Sequence, residues 1–354
     1  MFGGSIYLSN ELDYTLDYVD VMSKYGVKTI FTSLHIAEDN KEYFKEKLKK
    51  VSNKISENNQ ELMVDISSKT LEIYNLKFND LKEFLKYHHI NALRIDYGFS
   101  FDQIKELSKD FKIVLNASTI DEKHTQDLIN AGVNISEITV CHNFYPRIDT
   151  GLSKETFREK NDFLKEKGFK IQAFIPGDGK KRGPFHEGLP TIEDHRDINP
   201  FAAYVELKED FKVDEILVGD TSLKEETLKR IDVFNKDRII ELRVGEIIEI
   251  PKEAKEVFWD IHKNRKDYSS RVLRSTITRI KIESPIKPNN NLDRPVGTIT
   301  IDNESYGRYN GELQVAMVDL KACDRVNVIG YIKNEDTYLL PFIKDEIRFK
   351  FVEE

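Results

Sequence analysis

The 354-residue sequence has only two cysteines, Cys141 and Cys323. Two thiols so far apart in the chain provide no disulfide framework, which is typical of a protein from a reducing compartment. No apolar run approaches the length that spans a membrane. The first residues also lack the basic and apolar segments of a secretion signal. We therefore expect a cytoplasmic protein that does not enter a membrane.

Basic residues are not in excess either. The chain has 54 Lys and Arg against 62 Asp and Glu, a formal net charge of −8. General nucleic-acid binders usually carry a basic balance, so we expect no nucleic acid as a partner. Local basic clusters can still bind small anions. Internal repeats and low-complexity tracts are also absent, and the sequence leaves the oligomeric state open.

What the chain does contain is an alternation of short apolar runs with helical patterns over its first two thirds. Eight runs look like strands, at residues 5–8, 29–32, 62–66, 92–96, 112–116, 137–141, 170–175 and 215–219. Eight strands alternating with helices predict an α/β fold, a (β/α)₈ barrel of the TIM type over residues 1–236. The alternative is an open doubly wound sheet, which the lack of a Gly-x-Gly-x-x-Gly motif after the first strand weakens.

The pattern changes after residue 236. Residues 237–354 contain short strand-like runs separated by Asn, Gly, Asp and Pro turns. This arrangement predicts a second, smaller and mainly antiparallel β domain.

Two neighbouring strands of the predicted barrel end in an aspartate, Asp65 and Asp96. Barrel enzymes carry their catalytic residues at these carboxyl-terminal strand ends. If Asp65 and Asp96 lie at one level, their carboxyl groups would be roughly 5 Å apart, near the spacing of retaining glycosidases. Repulsion at that distance raises one pKa, so that one group can supply a proton. The alternative is that each Asp caps the next helix. We favour a catalytic pair because Asn116 ends the following strand.

Two loops add candidate substrate ligands. The sixth strand leaves the core through His142, Asn143, Tyr145 and Arg147. The loop after the seventh strand, PGDGKKRGPFHEG, combines glycines, whose backbone amides can hold a phosphate, with cations. The alternative interpretation of this segment is a solvated, mobile loop. The candidates in this loop and after the eighth strand are Lys180, Arg182 and His186 as ligands, and Glu187 and Asp220 as further acids.

Metal and Schiff-base chemistry have little support in the sequence. The first strand carries no His-x-His pair, and Lys112 and Lys170 stand at the wrong strand ends for a Schiff base. His35, His142 and Asp65 could together bind a metal, but nothing in their spacing requires it. We expect neither a metal nor a cofactor. Cys141, inside a strand run, is expected to pack in the core rather than act as a nucleophile.

Several long motifs resemble one family. VCHNFYPRIDTGLS, FIPGDGKKRGPFHEGLPTIEDHR and GTITIDNESYGRYNGELQVAMVDL are similar to the bacterial 6-phospho-N-acetylmuramidases, and the resemblance covers nearly the whole chain. It implies a barrel followed by a cyclophilin-like β domain. It also implies a cytoplasmic exo-glycosidase of peptidoglycan recycling. The substrate would be a phosphorylated amino-sugar disaccharide, 6-phospho-N-acetylmuramyl-N-acetylglucosamine, split into 6-phospho-N-acetylmuramic acid and N-acetylglucosamine.

A substrate with a phosphate and a lactyl carboxylate needs cationic partners, for which Arg147, Lys180 and Arg182 are candidates. In the second domain, Arg294 and Tyr309 lie in a polar stretch that we expect to close over the barrel mouth. The alternative for that stretch is an ordered turn with an inter-domain contact. Two other functions stay open: a different phosphosugar-acting barrel enzyme, such as an isomerase or lyase, and a non-catalytic sugar-phosphate-binding regulator.

Overall fold

The computed structural model describes residues 1–34 and 41–353, with side chains from residue 44 onward in the second range. The described chain forms two compact units, Met1–Leu228 and Lys229–Glu354. Each unit has its own sheet, and each is described by itself below.

The first unit is built on a closed barrel of eight strands in chain order. All neighbouring strands are parallel, and the last pairs with the first. The (β/α)₈ prediction is confirmed. The strands are β1 (Phe2–Ser5), β2 (Thr29–Ser33), β3 (Glu61–Ile66), β4 (Ile90–Ile95), β5 (Lys112–Asn116), β6 (Thr139–Cys141), β7 (Lys170–Ile175) and β8 (Glu215–Val218).

Helices connect these strands because apolar side chains recur on one face of each. In α4, for example, Leu81 and Leu85 are buried one turn apart. The helices are α1 (Leu12–Lys24), α2 (Lys41–Glu57), α3 (Ser68–Tyr74), α4 (Phe78–Tyr87), α5 (Phe101–Ser108), α6 (Glu122–Asn130), α7 (Lys154–Glu166), α8 (Pro200–Glu209) and α9 (Glu225–Asp237). Short 3₁₀ turns occupy Ile135–Glu137 and Glu193–His195. Over residues 1–34 and 41–353, none of the helices combines the length and the hydrophobicity needed to cross a membrane.

An apolar layer fills the barrel centre. Its buried members come from seven strands and are Phe31, Met63, Ala92, Val114, Cys141, Phe174 and Leu217. Burial raises the pKa of Cys141 to about 12, so its thiol stays protonated and packs like an apolar group. Side chains that follow this layer along each strand lie at the carboxyl-terminal end of the barrel, which we call the mouth. Side chains that precede the layer lie at the amino-terminal end.

The first strand begins earlier than the sequence predicts. It covers Phe2–Ser5 rather than residues 5–8. The difference comes from Gly3, which has low strand propensity but lies opposite Thr29 in the barrel. A Cβ on Gly3 would lie 2.3 Å from Leu217 Cδ2, so only glycine permits this close packing. As a result, Tyr7 lies beyond the strand end, at the mouth.

The second unit contains a seven-stranded sheet in the order β10-β15-β9-β14-β12-β13-β11. Only the β15–β9 pair is parallel, so the prediction of a mainly antiparallel β region is confirmed. The strands are β9 (Ile239–Ile247), β10 (His262–Lys263), β11 (Val272–Arg274), β12 (Thr298–Asp302), β13 (Leu313–Ala316), β14 (Val326–Ile332) and β15 (Arg348–Val352). Its helical segments are α10 (Lys255–Phe258), α11 (Thr278–Lys281) and the 3₁₀ stretches Glu304–Tyr309 and Asn334–Phe342.

Candidate active site

A buried ion pair lies at the mouth between β3 and β4. The register places Asp65 opposite Arg94, and Arg94 Nη1 lies 2.9 Å from Asp65 Oδ1. Arg94 also donates from Nη2 to Asn143 Oδ1 at 2.6 Å. The residue is 7% exposed, and its buried Nε has no hydrogen-bond partner among residues 1–34 and 41–353. Arg94 therefore joins two strands to the segment that follows β6.

The next two strand ends extend this group. Asn116, buried at the end of β5, donates from Nδ2 to Asp96 Oδ1 at 3.2 Å. The carboxylates of Asp96 and Asp65 both interact electrostatically with the Arg94 guanidinium and favour its charged form. We call Asp65, Arg94, Asp96, Asn116 and Asn143 the acid–arginine cluster. The structure thus brings together both predicted catalytic aspartates and the predicted ligands Asn116 and Asn143.

The two aspartates do not lie at one level, which is the condition for the 5 Å spacing. Asp65 is opposite Arg94, whereas Asp96 follows Arg94 by two residues. Two residues of strand span about 6.6 Å. The offset follows from the register between β3 and β4, which the sequence does not reveal. The backbones of the two aspartates are therefore offset along the strands and are not side by side.

Helix capping does not explain the two aspartates. Ser67 accepts a hydrogen bond from the Lys69 amide and caps α3. Ser100 accepts one from the Gln103 amide and caps α5. Because serines take the capping positions, the carboxylates of Asp65 and Asp96 remain at the mouth, where they can act on a ligand.

The segment after β6 divides its polar side chains between two environments. His142 lies outside the barrel, where its Nε2 is 2.7 Å from Asn161 Oδ1 and its ring packs on Phe157, both in α7. Burial lowers the pKa of His142 to about 4. The structure therefore does not bring His142 to the mouth. Strand alternation explains this, since the preceding Cys141 points into the barrel.

Asn143 and Tyr145 form the polar edge of the cluster. Asn143 Nδ2 donates to Ser118 Oγ at 3.2 Å, and the same hydroxyl interacts with the Tyr145 phenol. Burial raises the pKa of Tyr145. Phe144, between them, packs edge-on against Phe174 of the apolar layer at 5.1 Å. Both predicted ligands therefore lie at the cluster, Asn143 as one of its members and Tyr145 through the Ser118 hydroxyl.

Arg147 is exposed, and its guanidinium has no partner in the part of the chain that the structure describes. Its backbone, in contrast, is held, because Arg196 Nη2 donates to the Arg147 carbonyl at 3.2 Å and to that of Tyr145 at 3.0 Å. The Arg147 guanidinium is therefore open to an anion, and only its side chain, not its backbone, has to become ordered on binding.

Arg196 is the centre of a clamp between the β6 and β7 loops. Glu193 accepts from Arg196 Nε at 2.5 Å, and also from the Asp149 and Gly151 amides at 3.0 and 2.6 Å. The Arg196 guanidinium also donates to the carbonyl of Gly188 at 2.9 Å. The bonds to Arg196 keep the pKa of Glu193 at about 2. We call Glu193 and Arg196 the loop clamp.

A second cation lies at the mouth in the β7 loop. The guanidinium carbon of Arg182 is 4.0 Å from the ring centroid of Tyr7 and 5.7 Å from that of Phe144. Tyr7 donates its hydroxyl to the Gly219 carbonyl, and burial raises its pKa to about 12. The planar faces hold the guanidinium in place by cation–π attraction while its N–H groups remain able to bind an anion.

Asp220 has a different environment from the other predicted acids. It is fully buried. It accepts from the Gly177 amide at 2.8 Å, the Arg182 amide at 3.0 Å and the Leu189 amide at 3.1 Å. Three backbone donors on one carboxylate indicate a residue that shapes the β7 loop, and with it the position of Arg182.

The glycines of this loop serve close packing rather than an open phosphate cradle. The Gly179 and Lys180 amides donate to the Ser222 carbonyl and hydroxyl at 3.1 and 2.8 Å. A Cβ on Gly179 would lie 2.4 Å from Ser222 Oγ. The amides expected to hold a phosphate are therefore used within the protein, because the β8 loop packs directly on them.

The remaining β7-loop residues point elsewhere. Lys180 Nζ lies 3.3 Å from Asn10 Oδ1 and 5.2 Å from the Tyr14 ring, beside α1. His186 is exposed, with Nδ1 3.1 Å from the Lys181 carbonyl. Glu187 is half-buried; its backbone carbonyl accepts from Arg196 Nη1 at 3.3 Å, and its charge acts on the same guanidinium. Of the charged groups in this loop, Arg182 is therefore the one placed on the aromatic wall of the mouth.

The polar stretch of the second unit forms its own network. Arg294 donates from Nε and Nη2 to the Lys321 carbonyl at 3.0 and 2.7 Å. The Tyr309 hydroxyl accepts from Arg308 Nη2 at 2.9 Å. Both predicted ligands are thus engaged within the second unit.

The suggested metal ligand His35 lies outside the described residues, and His142 and Asp65 occupy different environments. Over residues 1–34 and 41–353, no group of three or more His, Cys, Asp or Glu side chains is arranged to hold a metal ion.

Comparison with protein families covers both units. Residues 2–233 match the N-terminal domain of the 6-phospho-N-acetylmuramidases, and residues 240–352 match their C-terminal domain. The chain belongs to the 6-phospho-N-acetylmuramidase family. The resemblance seen in its motifs is thereby confirmed, and the family name is that of a glycosidase-type enzyme.

Two solved structures are similar to this family member along their whole length. One is a conserved Enterococcus faecalis protein described as having an unknown function; it is 36% identical, with a TM-score of 0.90, and the match covers 100% of this chain and 96% of that one. The other is an uncharacterised Bacillus cereus protein, 26% identical with a TM-score of 0.80 and 99% coverage of each chain. No curated protein matches this family member.

Sequence reasoning missed several residues at this family member's mouth. Arg94 sits in an apolar strand run, and its signal is a charge at an inward-facing position, two residues before Asp96. Tyr7 was placed inside a strand. The loop clamp, Glu193 and Arg196, carries the i, i+3 spacing of an ion pair, but its partners are backbone groups that no side-chain pattern indicates.

Proposed function

We propose that this protein hydrolyses 6-phospho-N-acetylmuramyl-N-acetylglucosamine to 6-phospho-N-acetylmuramic acid and N-acetylglucosamine, in the cytoplasm, as a step of peptidoglycan recycling. The acid–arginine cluster carries the proposal. It sets two aspartates, a buried arginine and two amides at the mouth of a barrel whose family is that of the 6-phospho-N-acetylmuramidases. Glycosidases of most families act through two carboxyl groups on either side of the scissile bond.

We assign different roles to the two aspartates. Asp65, held in place by Arg94, is assigned to the stabilisation of positive charge that develops on the sugar ring. Asp96, held by the Asn116 amide, is assigned as the group that gives its proton to the leaving oxygen of N-acetylglucosamine. Water then attacks the anomeric carbon and returns a proton to Asp96. In a substrate-assisted variant, Asp96 orients the 2-acetamido group, whose oxygen attacks the anomeric carbon as the glycosidic bond breaks and Asp65 protonates the leaving oxygen. Water then opens the cyclic intermediate and returns a proton to Asp65.

The anionic groups of the substrate need cations that the protein has not already paired. Arg182, on the rings of Tyr7 and Phe144, and Arg147, on its clamped backbone, meet that requirement. Arginine binds phosphate and carboxylate through two parallel N–H···O bonds, which also fixes orientation. Lys180 stands further out, beside α1, where it can contribute to the attraction of a doubly anionic substrate.

Incubation with the phosphorylated disaccharide, followed by mass spectrometry, tests the reaction. We expect both products with the wild type and rates at least about 100-fold lower for Asp65→Asn and Asp96→Asn. Asp80→Asn, an exposed aspartate of α4, is the matched control and should keep the wild-type rate. Wild-type rates in either active-site variant would overturn the assigned pair. An isomerised or eliminated product would instead identify another phosphosugar enzyme, and binding without turnover a regulator.

A further inference from the structure

A cavity of about 760 Å³ opens at the amino-terminal ends of the barrel strands, the end opposite the acid–arginine cluster. Its wall includes the first residues of β5 and β7, Lys112 and Lys170. Its inner end reaches Met63, Ala92 and Val114, which belong to the apolar layer. The cavity therefore runs from the protein surface to the barrel centre, and the apolar layer separates it from the mouth.

The polar part of the inner wall consists of hydrogen-bond acceptors. Glu215 is 6% exposed and accepts from Thr29 Oγ1 and from Gln172 Nε2, each at 2.5 Å. Gln172 is 3% exposed, and its Oε1 is buried without a hydrogen-bond partner in the described chain. The amide orientation is set, since turning it would place Oε1 against the carboxylate.

Glu215 has no lysine or arginine as a direct partner among the side chains that the structure describes, and its hydrogen-bond donors are Thr29 and Gln172. The positive charge that acts on it is that of the Met1 α-amino group, which lines the cavity and donates to the Asp214 carbonyl. On the rim, Lys112 is paired with Glu61 at 2.6 Å. A carboxylate this deeply buried with only neutral donors is costly, and so is the unpartnered amide oxygen beside it.

We propose that this cavity binds a small molecule through a primary ammonium group. An ammonium carries positive charge and three N–H donors, which match the two Glu215 oxygens and Gln172 Oε1. The cavity volume is within the range of small-molecule pockets, so a ligand the size of an amino sugar can enter it. The site uses none of the mouth residues, and it is independent of the proposed hydrolysis.

A pair of probes that differ in one charge tests the proposal. D-glucosamine has the ammonium, and N-acetylglucosamine replaces it with a neutral amide. Titration calorimetry on the full-length protein should show binding of glucosamine at pH 7, with N-acetylglucosamine roughly tenfold weaker or more at this site. Saturating glucosamine should also raise Tm, because it binds the folded state.

Single-residue variants show which side chains bind glucosamine. Glu215→Gln keeps the side-chain shape and removes the charge, and should weaken glucosamine roughly tenfold or more. Gln172→Met should weaken it as well, since the acceptor oxygen is lost. Glu137→Gln removes an exposed charge from the wall of the same cavity and is the matched control, with unchanged affinity. Titrations well below each variant's Tm separate lost binding from lost folding.

Three results would overturn the proposal: no heat with glucosamine up to millimolar concentrations, equal affinity for the two probes, or wild-type affinity in Glu215→Gln. Loss of glucosamine binding in Asp65→Asn instead of Glu215→Gln would assign the binding to the mouth. Hydrolysis of the disaccharide by Glu215→Gln is measured in parallel, so failure of this site and failure of the proposed function are distinguishable.

Discussion

Arg94 occupies a position where a charged side chain is costly unless it is paired. It is 7% exposed, and its guanidinium bridges Asp65 and Asn143 at 2.9 and 2.6 Å. Breaking a buried pair leaves an uncompensated charge, at a cost of about 3–5 kcal/mol. The unpartnered Nε is a further donor inside the cluster. Arg94 is charged, contacts two members of the cluster and has a further N–H donor. We therefore expect the arrangement of the cluster to depend on it.

Replacing Arg94 with lysine keeps the charge and removes the fork that reaches two partners at once. We expect kcat for the phosphorylated disaccharide to fall at least about tenfold, with a smaller change in KM, because the loss affects charge stabilisation more than binding. Steady-state kinetics and a melting curve measure both effects. Arg158→Lys, on an exposed position of α7, should leave both unchanged. Wild-type kcat in Arg94→Lys would contradict the role of the fork.

At the scale of elements, the β6 and β7 loops act as one unit because the loop clamp ties them together. Arg196 donates to the Tyr145, Arg147 and Gly188 carbonyls, and Glu193 holds the Gly151 amide at 2.6 Å. These bonds position backbone rather than side chains. A ligand that uses Tyr145 or Arg147 therefore depends on two residues that do not contact it.

Glu193→Gln tests this positioning. An amide neutralises the partner of buried Arg196 and can keep only part of the hydrogen bonding. We expect KM to rise several-fold with a smaller fall in kcat, since the acid–arginine cluster is not touched. Glu159→Gln, exposed on α7, is the matched control. A fall in kcat at constant KM would contradict a role in substrate positioning.

His142 gives a second prediction at this scale, because it packs β6 onto α7. Its pKa falls from 6.5 in the unfolded chain to about 4 in the folded protein. The folded state excludes the proton, so the contribution to the free energy of unfolding is present above pH 6.5 and is lost as pH falls toward 4. His142→Gln should flatten this part of the stability curve in urea titrations by a few kcal/mol.

The same variant separates packing from substrate binding. Because His142 bonds to Asn161 and not to the cluster, His142→Gln should keep the wild-type KM at pH 7. A large rise in KM in a folded protein would contradict its assignment to the outside of the barrel.

At the scale of the whole molecule, the two units respond to pH in different ways. The second unit buries two carboxylates near each other, Asp302 and Glu312, and Glu312 is paired with Arg274 at 2.7 Å. Burial, together with the Glu312 charge, raises the pKa of Asp302 to about 7. One Asp302 oxygen is buried without a partner among the described residues. The folded second unit therefore holds a proton that the unfolded chain releases.

The sign of this effect is opposite to that of His142. Stability from a protonated Asp302 is complete below about pH 4 and is lost as pH rises to about 7. Asp302→Asn should therefore be more stable than the wild type at pH 8, by a few kcal/mol, and similar to it at pH 4. Urea unfolding at both pH values measures the difference. Asp324→Asn, whose side chain is 88% exposed, is the control. Equal stabilisation at both pH values would contradict the titration.

The sequence predicted the barrel because eight apolar runs alternate with helical patterns, a local signal that survives without tertiary knowledge. It also located Asp65, Asp96, Asn116 and Asn143, since residues at strand ends meet at one face of a barrel. It did not predict that the His142 side chain points out of the barrel, because successive side chains along a strand point to opposite sides. Nor did it predict the offset between the aspartates, which depends on register.

The sequence by itself determined the fold class, the family and the set of polar strand ends, because these rest on periodicity and on the order of residues along the chain. Tertiary structure alone decided which partners those side chains have. It pairs Arg94 with Asp65, and it lets the β7-loop amides donate to Ser222 and Asp220. It also buries Glu215 at the amino-terminal end of the barrel. The physical reason is that hydrogen bonds and ion pairs depend on distances of a few tenths of an ångström between groups far apart in sequence.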